Sequence, residues 1–183
     1  MRQVFRRTRA ENRIPADGRR APGAGDLSRS HGSVDSRDTR IMKARLETLA
    51  LKTDERQQLI NITSKVKEVV TESGIKNGFV GLFSQHTTAA LMVSEFQNAL
   101  LDDIAAFLRR VVADDLPYKH NSPEFSDCNR RNAASHLRSM LFNNAVVLPV
   151  SGGELVLGQF QSVILAEMDG PRERSLKVQF LGE

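Results

Sequence analysis

The segment Ser84–Glu95, SQHTTAALMVSE, sets a histidine and two threonines inside an otherwise apolar run. His86, Thr87 and Thr88 are either satisfied polar groups of a core or the lining of a pocket. As a lining, hydroxyls and backbone N–H groups at a strand turn would hold an anion or polar substrate. As core groups, the threonines suit a strand and bond their hydroxyls to backbone. Two more histidines, His120 and His136, fall in a polar loop and on a helix. None is spaced from another like His-Glu-x-x-His, so spacing alone carries no metal signal. Taken singly, each has a bland explanation: His136 sits four residues before Met140 at the edge of an apolar stripe, and His120 in a solvated loop.

Gln161 and Glu167 share a parity on one strand and point to one face, between Val163 and Leu165. A carboxylate there must be paired or reach a pocket rim, because burying it unpaired is costly. The cationic partner expected from proximity is Arg172, just past the turn DGPR, where Pro171 sets φ and Gly170 permits a positive one. Arg172 is equally suited to fork a phosphate. Glu95 reads as a helix-start carboxylate or a ligand. Cys128 has no base near it in sequence and reads as an inert thiol. The glycines of SGGELVLGQ fit a hairpin turn, not a phosphate loop.

The elements that must position these groups follow from periodicity. Met42 to Thr53 alternates as a strand, and QLINIT follows as a second. Thr63 or Ser64 caps a helix carrying Val66, Val69 and Val70, which Gly74 ends. GFVGLFS and AALMVS read as strands buried on both faces. Asn98 to Ala113 has the clearest helical period, through Leu100, Leu101, Ile104, Leu108, Val111 and Val112. Leu116 to Arg131 is a long polar loop of the kind that carries function or moves. A helix over Asn132–Asn143 would turn Ala133, Leu137, Met140 and Leu141 inward. Three strands close the chain, the last alternating Leu176, Val178 and Phe180 with polar residues. Hairpin-like strand pairs mixed with a few helices predict an α+β domain.

The charge belongs to one end. Residues 1–40 hold 10 of the 26 basic and 5 of the 22 acidic residues, so the rest is close to neutral. A nucleic-acid function inferred from the whole-chain charge of +4 would be misplaced. Residues 1–41, rich in Arg, Gly and Ser, read as a disordered extension, with residues 42–183 as the single folded domain. The extension is a transit peptide, a basic arm, or translated upstream sequence with the functional start at Met42; the abrupt change of composition favours the last. No apolar run reaches the roughly 18 residues of a membrane span, and no secretory signal is visible. The one cysteine excludes an internal disulfide and is compatible with the cytoplasm.

Several separated segments together resemble the YjbQ-like proteins. They are LINIT, QHTTAALMVSE, the DD of the long helix, YKHN, NAASHL, LPVSGGELVLGQFQSVILAEMDGPRERS and the last strand, in that order. The resemblance spans essentially all of residues 42–183. It implies a two-sheet, sandwich-like α+β fold assembled as a homotrimer. It also implies a weak, secondary thiamine-phosphate synthase activity, joining a hydroxymethylpyrimidine pyrophosphate to a thiazole phosphate. The positions that carry over are His86, Thr87, Thr88, Glu95, His120, Asn132, His136, Gln161, Glu167, Asp169 and Arg172. This chain departs from the family pattern with Ser94 for a common Asn, Ala134 for a frequent Asp, and GQFQ for GTWQ.

The expected site thus joins the three histidines to Arg172. His86, His120 and His136 could hold a divalent metal, zinc or magnesium, through neutral imidazoles; protonated, they could cradle a phosphate beside Arg172. His86, His120, His136 and Glu167 are the expected catalytic groups. Thr87, Thr88, Asn132, Gln161 and Arg172 would bind substrate, with Glu95 and Asp169 in support. A transferase acting on a small phosphorylated metabolite is the first expectation, and a non-catalytic metal- or metabolite-binding protein the alternative.

Overall fold

The computed structural model describes residues 41–183; the extension, up to residue 40, and His31 lie outside the described residues. In chain order the elements are β1 (Lys43–Lys52), β2 (Gln58–Asn61), α1 (Thr63–Ser73), β3 (Gly78–Ser84), β4 (Ala89–Ser94), α2 (Asn98–Val111), α3 (Ala133–Ser139), β5 (Ala145–Ser151), β6 (Glu154–Leu155), β7 (Ser162–Glu167) and β8 (Glu173–Gly182). A 3-10 turn at Lys119–Asn121 interrupts the long loop between α2 and α3.

The strands form two antiparallel sheets. One has the order β1-β8-β3-β5-β6 and the other β2-β7-β4. Alternation along β8 turns Leu176, Val178 and Phe180 inward, all fully buried. They meet Val80 and Leu82 of β3 and, from the smaller sheet, Leu91, Val163 and Leu165, while α1 adds Val66 and Val70. Burying side chains of this size contributes roughly 1.5–3 kcal/mol each. The far face of the smaller sheet, Ala90, Ala166 and the following Met168, packs on Leu108 and Ile104 of α2. Layers on both sides explain why Val163, Ile164, Leu165 and Ala166 of β7 form a continuous apolar run, a pattern of full burial rather than alternation. The α+β, two-sheet expectation holds.

Local chemistry sets the ends of the elements. Asn61 Oδ1 accepts from the Thr63 N–H at 3.0 Å, so α1 is entered through Asn61, with no side-chain cap from Thr63 or Ser64. Gly74 closes that helix with φ 69°. Gly170 does not use the positive φ that it permits. Glycine is required there by close approach, since a Cβ would fall 2.2 Å from the Glu55 carbonyl oxygen.

Three expectations about facing are corrected. β3 is buried on one face alone, with Phe79 and Phe83 exposed beside Val147 and Leu181 on the outer side of the larger sheet. The third helix stops at Ser139, and Leu137, Met140 and Leu141 are exposed. Its inner face is taken by Ala133, Ala134, Ser135, Ser139 and Arg138, because the Arg138 guanidinium turns inward to the Val112 carbonyl (2.6 and 3.1 Å) and Asp114 (3.0 Å). Val111 is likewise exposed at the end of α2.

Candidate functional site

Two turns meet at one end of the sandwich. The turn from β3 to β4 carries Gln85–Thr88, and the turn from β7 to β8 carries Met168–Arg172. The two are tied where the Met168 N–H donates to the Thr88 carbonyl at 3.0 Å. The start of α3 closes a third side, anchored by Ser135 Oγ donating to the Met168 carbonyl at 2.6 Å. Between them lies a cavity of about 340 Å³.

Its lining collects His86, Thr87, Thr88, His120, Asn132, His136, Asp169 and Arg172. Histidines 34 and 50 residues apart in the chain from His86 therefore converge beside a guanidinium. His120 and His136 meet edge to face with ring centroids 5.1 Å apart. Ser126 Oγ lies 3.4 Å from His120 Nδ1.

Arg174, which sequence reasoning missed, forms the floor. Its Nε and Nη2 donate to the two Glu167 oxygens at 2.6 Å each, and Nη2 also donates to Thr88 Oγ1 at 2.9 Å. Glu167 is wholly buried. It takes two further bonds, from the Asp169 N–H (2.8 Å) and Thr53 Oγ1 (3.1 Å). The Thr53 hydroxyl also lies 3.1 Å from the Arg172 carbonyl, which already accepts the Thr53 N–H, so its single proton is free for the carboxylate. Burial alone would raise the Glu167 pKa, but Arg174, Asp169 and Thr53 together hold it below the ordinary value.

Two expectations fail here. Glu167 does not line the cavity, and its partner is Arg174, not Arg172. A carboxylate with every lone pair committed and a lowered pKa is a support for Arg174, not an acid–base group. The sequence did hold a signal: Arg174 has the inward parity of Leu176, Val178 and Phe180, an arginine continuing an apolar face.

Arg172 is held by a second carboxylate. Its Nε and Nη2 donate to the Asp169 carbonyl and Oδ2, both at 2.8 Å. Asp169 Oδ2 also accepts Asn132 Nδ2 at 2.9 Å, and Arg130 Nη1 stands 3.6 Å away. Asn132 in turn accepts from the Cys128 thiol at 3.7 Å, so Cys128 lies in the cavity wall, not apart from the site. The Nη1 groups of Arg172 and Arg174 have no partner among the described residues. Neither is a sealed buried donor. Three arginines therefore face one lining carboxylate, and the cavity is electropositive.

The Ser175 N–H donates to His86 Nε2 at 3.0 Å. A lone pair used in that way leaves the proton on Nδ1, so His86 presents a neutral N–H donor. Desolvation and the Arg174 charge lower its pKa, outweighing Glu167 and the remaining backbone dipole at Ser175. His136 is also lowered, by burial first and His120 second, against Asp169 and the Thr87 backbone. At His86 and His136 burial therefore favours the neutral ring and works against the expected imidazolium cradle.

Nor do the histidines form the expected metal set. His86 has committed its lone pair to backbone, and among the described residues no three of His, Cys, Asp and Glu are grouped to hold an ion. The donor set does not fit zinc or magnesium.

Two expected residues stand elsewhere. Gln161 precedes β7, is exposed, and accepts from the Gly158 N–H at 2.9 Å; it stabilises its own loop. Glu95 is exposed beyond β4 and outside the cavity. Among the described residues no helix is long and apolar enough to cross a membrane.

Fold and cavity together define an antiparallel two-sheet α+β protein with an arginine- and histidine-lined cleft at one end. The chain belongs to the YjbQ-like family: the model of the family described as UPF0047 protein YjbQ-like matches residues 47–183. A UPF0047 protein of Methanothermobacter thermautotrophicus is 39% identical over 143 residues, 78% of this chain and 96% of its own. YugU of Bacillus subtilis is 33% identical over 138 residues, 75% of this chain and 99% of its own. The crystal structure of a YbjQ-like protein of unknown function from Sulfolobus solfataricus superposes with TM-score 0.71 at 35% identity, covering 78% of this chain and all of that one.

Proposed function

We propose that this protein binds a small organophosphate and acts as a transferase of the thiamine-phosphate synthase type, displacing pyrophosphate. One observation carries the reading: Arg130, Arg172 and Arg174 line a single cavity with the three histidines, and two of the guanidiniums keep an unpaired Nη1. In such a displacement the carbon–oxygen bond to pyrophosphate breaks and the electron pair leaves on oxygen. The lone pair of the acceptor's ring nitrogen forms the new carbon–nitrogen bond, and no proton moves at that nitrogen. The demand is for stabilisation of departing negative charge, which pre-oriented guanidiniums supply without titrating near neutral pH. Arg172 and Arg174 hold the phosphate, with Thr87, Thr88 and Asn132 around it and the His86 N–H as a further donor. Neutral His136, against His120, takes or returns the proton on the phosphate oxygens.

The assembly we favour is the homotrimer that the resemblance implies, in the cytoplasm. The outer face of the larger sheet supports it, since Val147 is 67% exposed beside Phe79, Pro149 and Leu181. Apolar sheet faces of this kind are covered in stable proteins.

Non-catalytic retention of a phosphorylated metabolite is the second reading, favoured by a site rich in donors in which the His86 lone pair is already committed to the Ser175 N–H. Calorimetry with pyrophosphate, together with turnover of hydroxymethylpyrimidine pyrophosphate and thiazole phosphate, separates the two. Pyrophosphate binding that Arg172→Ala weakens about 10- to 100-fold is expected, from the strength of hydrogen bonds to charged groups. Turnover lost in His86→Ala, with fold and mass intact, supports the transferase; retention without turnover selects the second reading. No pyrophosphate binding would remove both.

A further inference from the structure

A second cavity, of about 970 Å³, shares no lining residue with the arginine cleft. The loop between α2 and α3 is the wall between them. Residues adjacent in the chain are dealt to opposite sides: His120, Arg130 and Asn132 line the cleft, whereas Lys119, Asn121 and Arg131 line the second cavity. Arg131 has φ 52°, the one positive value outside glycine among the described residues. Side-chain-bearing residues seldom adopt that conformation, and such outliers cluster at functional sites. Here two successive arginines part, one to each cavity.

The turn between β1 and β2 brings Arg56 to the same cavity. Its main chain is fixed, since the Arg56 carbonyl accepts the Gly170 N–H at 3.0 Å. The guanidiniums of Arg56 and Arg131 have no partner among the described residues. Of the two aspartates in the wall, Asp114 is taken by Arg138 at 3.0 Å, and the Asp115 carboxylate has no partner among the described residues. Lys119 Nζ stands 5.3 Å from the centre of the Phe125 ring, which is 58% exposed.

These groups ask for a ligand with three parts. Unspent guanidinium forks and an ammonium suit phosphate oxygens. An open aromatic ring suits a planar base laid against it. The Asp115 carboxylate repels a bare polyanion but accepts from vicinal hydroxyls, as carboxylates do from a ribose. A volume near 970 Å³ stands at the upper end for small-molecule sites and exceeds what a simple anion fills.

We propose that this cavity binds a nucleoside diphosphate, with Arg56, Arg131 and Lys119 on the phosphates, Asp115 on the ribose and Phe125 against the base. The site is separate from the arginine cleft and does not depend on what the cleft holds.

Calorimetry on the full chain with ADP and ribose 5-phosphate tests it. One ADP per chain is expected, bound more tightly than ribose 5-phosphate. Arg56→Ala and Arg131→Gly should each weaken ADP about 10- to 100-fold, in keeping with hydrogen bonds to charged groups. Neither threatens the fold: alanine keeps the Arg56 carbonyl, and glycine adopts the left-handed backbone freely. Phe125→Ala should weaken ADP by about fivefold or more, from the lost stacking, and leave ribose 5-phosphate unchanged. Arg172→Ala, in the cleft, should leave ADP affinity as it is. No ADP binding by the parent chain, or ADP no tighter than ribose 5-phosphate, would overturn the nucleotide site. ADP lost in Arg172→Ala but kept in Arg56→Ala would place the nucleotide in the cleft and overturn it equally.

Discussion

The Ser175 N–H and His86 Nε2, 3.0 Å apart, join the first residues of β8 to the turn between β3 and β4. That bond decides what His86 can do: its outward nitrogen donates, and its lone pair is spent on backbone. Nitrogen-15 NMR at pH 7 should therefore show the Nδ1–H tautomer for His86. A lone pair on Nδ1, or an imidazolium, would contradict the assignment.

The histidine pKa values bear on stability and on anion binding differently. Both His86 and His136 are lowered from 6.5, so between the folded value and 6.5 the unfolded chain binds more protons. Their contribution to stability is complete above 6.5 and is lost as pH falls through the folded values. Urea midpoints should decline over that window, and less in the His86→Gln, His136→Gln double variant. Anion affinity carried by arginines should stay level from pH 6.5 to 8. Sulfate, which does not titrate there, is the probe; a steep fall would place the binding charge on the histidines.

Glu167 and Arg174 form a buried pair whose separation leaves an uncompensated charge. Glu167→Ala should cost about 3–5 kcal/mol in denaturant unfolding. The Glu167 pKa lies below its ordinary value of 4.5. Its contribution is therefore present above 4.5 and lost as pH falls through the folded value. The acid limb of the stability curve should flatten in Glu167→Gln. Unchanged acid unfolding in that variant would show that the pair is not held as described.

Gly170→Ala should destabilise by roughly 1–3 kcal/mol, the usual range for overpacking. A Cβ there meets the Glu55 carbonyl oxygen, Thr53 Oγ1 and Glu167 Cγ within 3.0 Å. Displacing that turn also moves Asp169 and Arg172, so anion affinity should fall with stability. A variant as stable and as tight-binding as the parent would contradict the packing.

For the proposed trimer, Val147→Glu puts a charge in the middle of the exposed sheet face. Native mass spectrometry should read three chains for the parent and one for the variant. A monomeric parent would sink the assembly, and a trimeric variant would move the interface elsewhere.

Much of the fold was legible because its signals are local. Alternation in β8, the helical period of α2 and the double glycine of the β5–β6 hairpin (φ 61° and 85°) each report on a neighbour or two. The third helix misled for a reason equally physical. Its apolar residues were read as inward, whereas Arg138 found a carbonyl and a carboxylate inside, and the small residues followed it. Where a polar side chain finds partners from another element, hydrophobicity no longer predicts facing.

By itself, then, the chain's order of residues determined the α+β class, the strand alternation and the family motif from His86 to Arg172, all set by short-range spacing. Only the tertiary structure decided which cation meets which carboxylate. Arg174 reaches Glu167 because antiparallel pairing brings β8 against β1 and β3 while β7 lies in the other sheet, which leaves Arg172 to the Asp169 of its own turn. Register across two sheets is a long-range property, and it alone turned His86 from a prospective metal ligand into a hydrogen-bond donor.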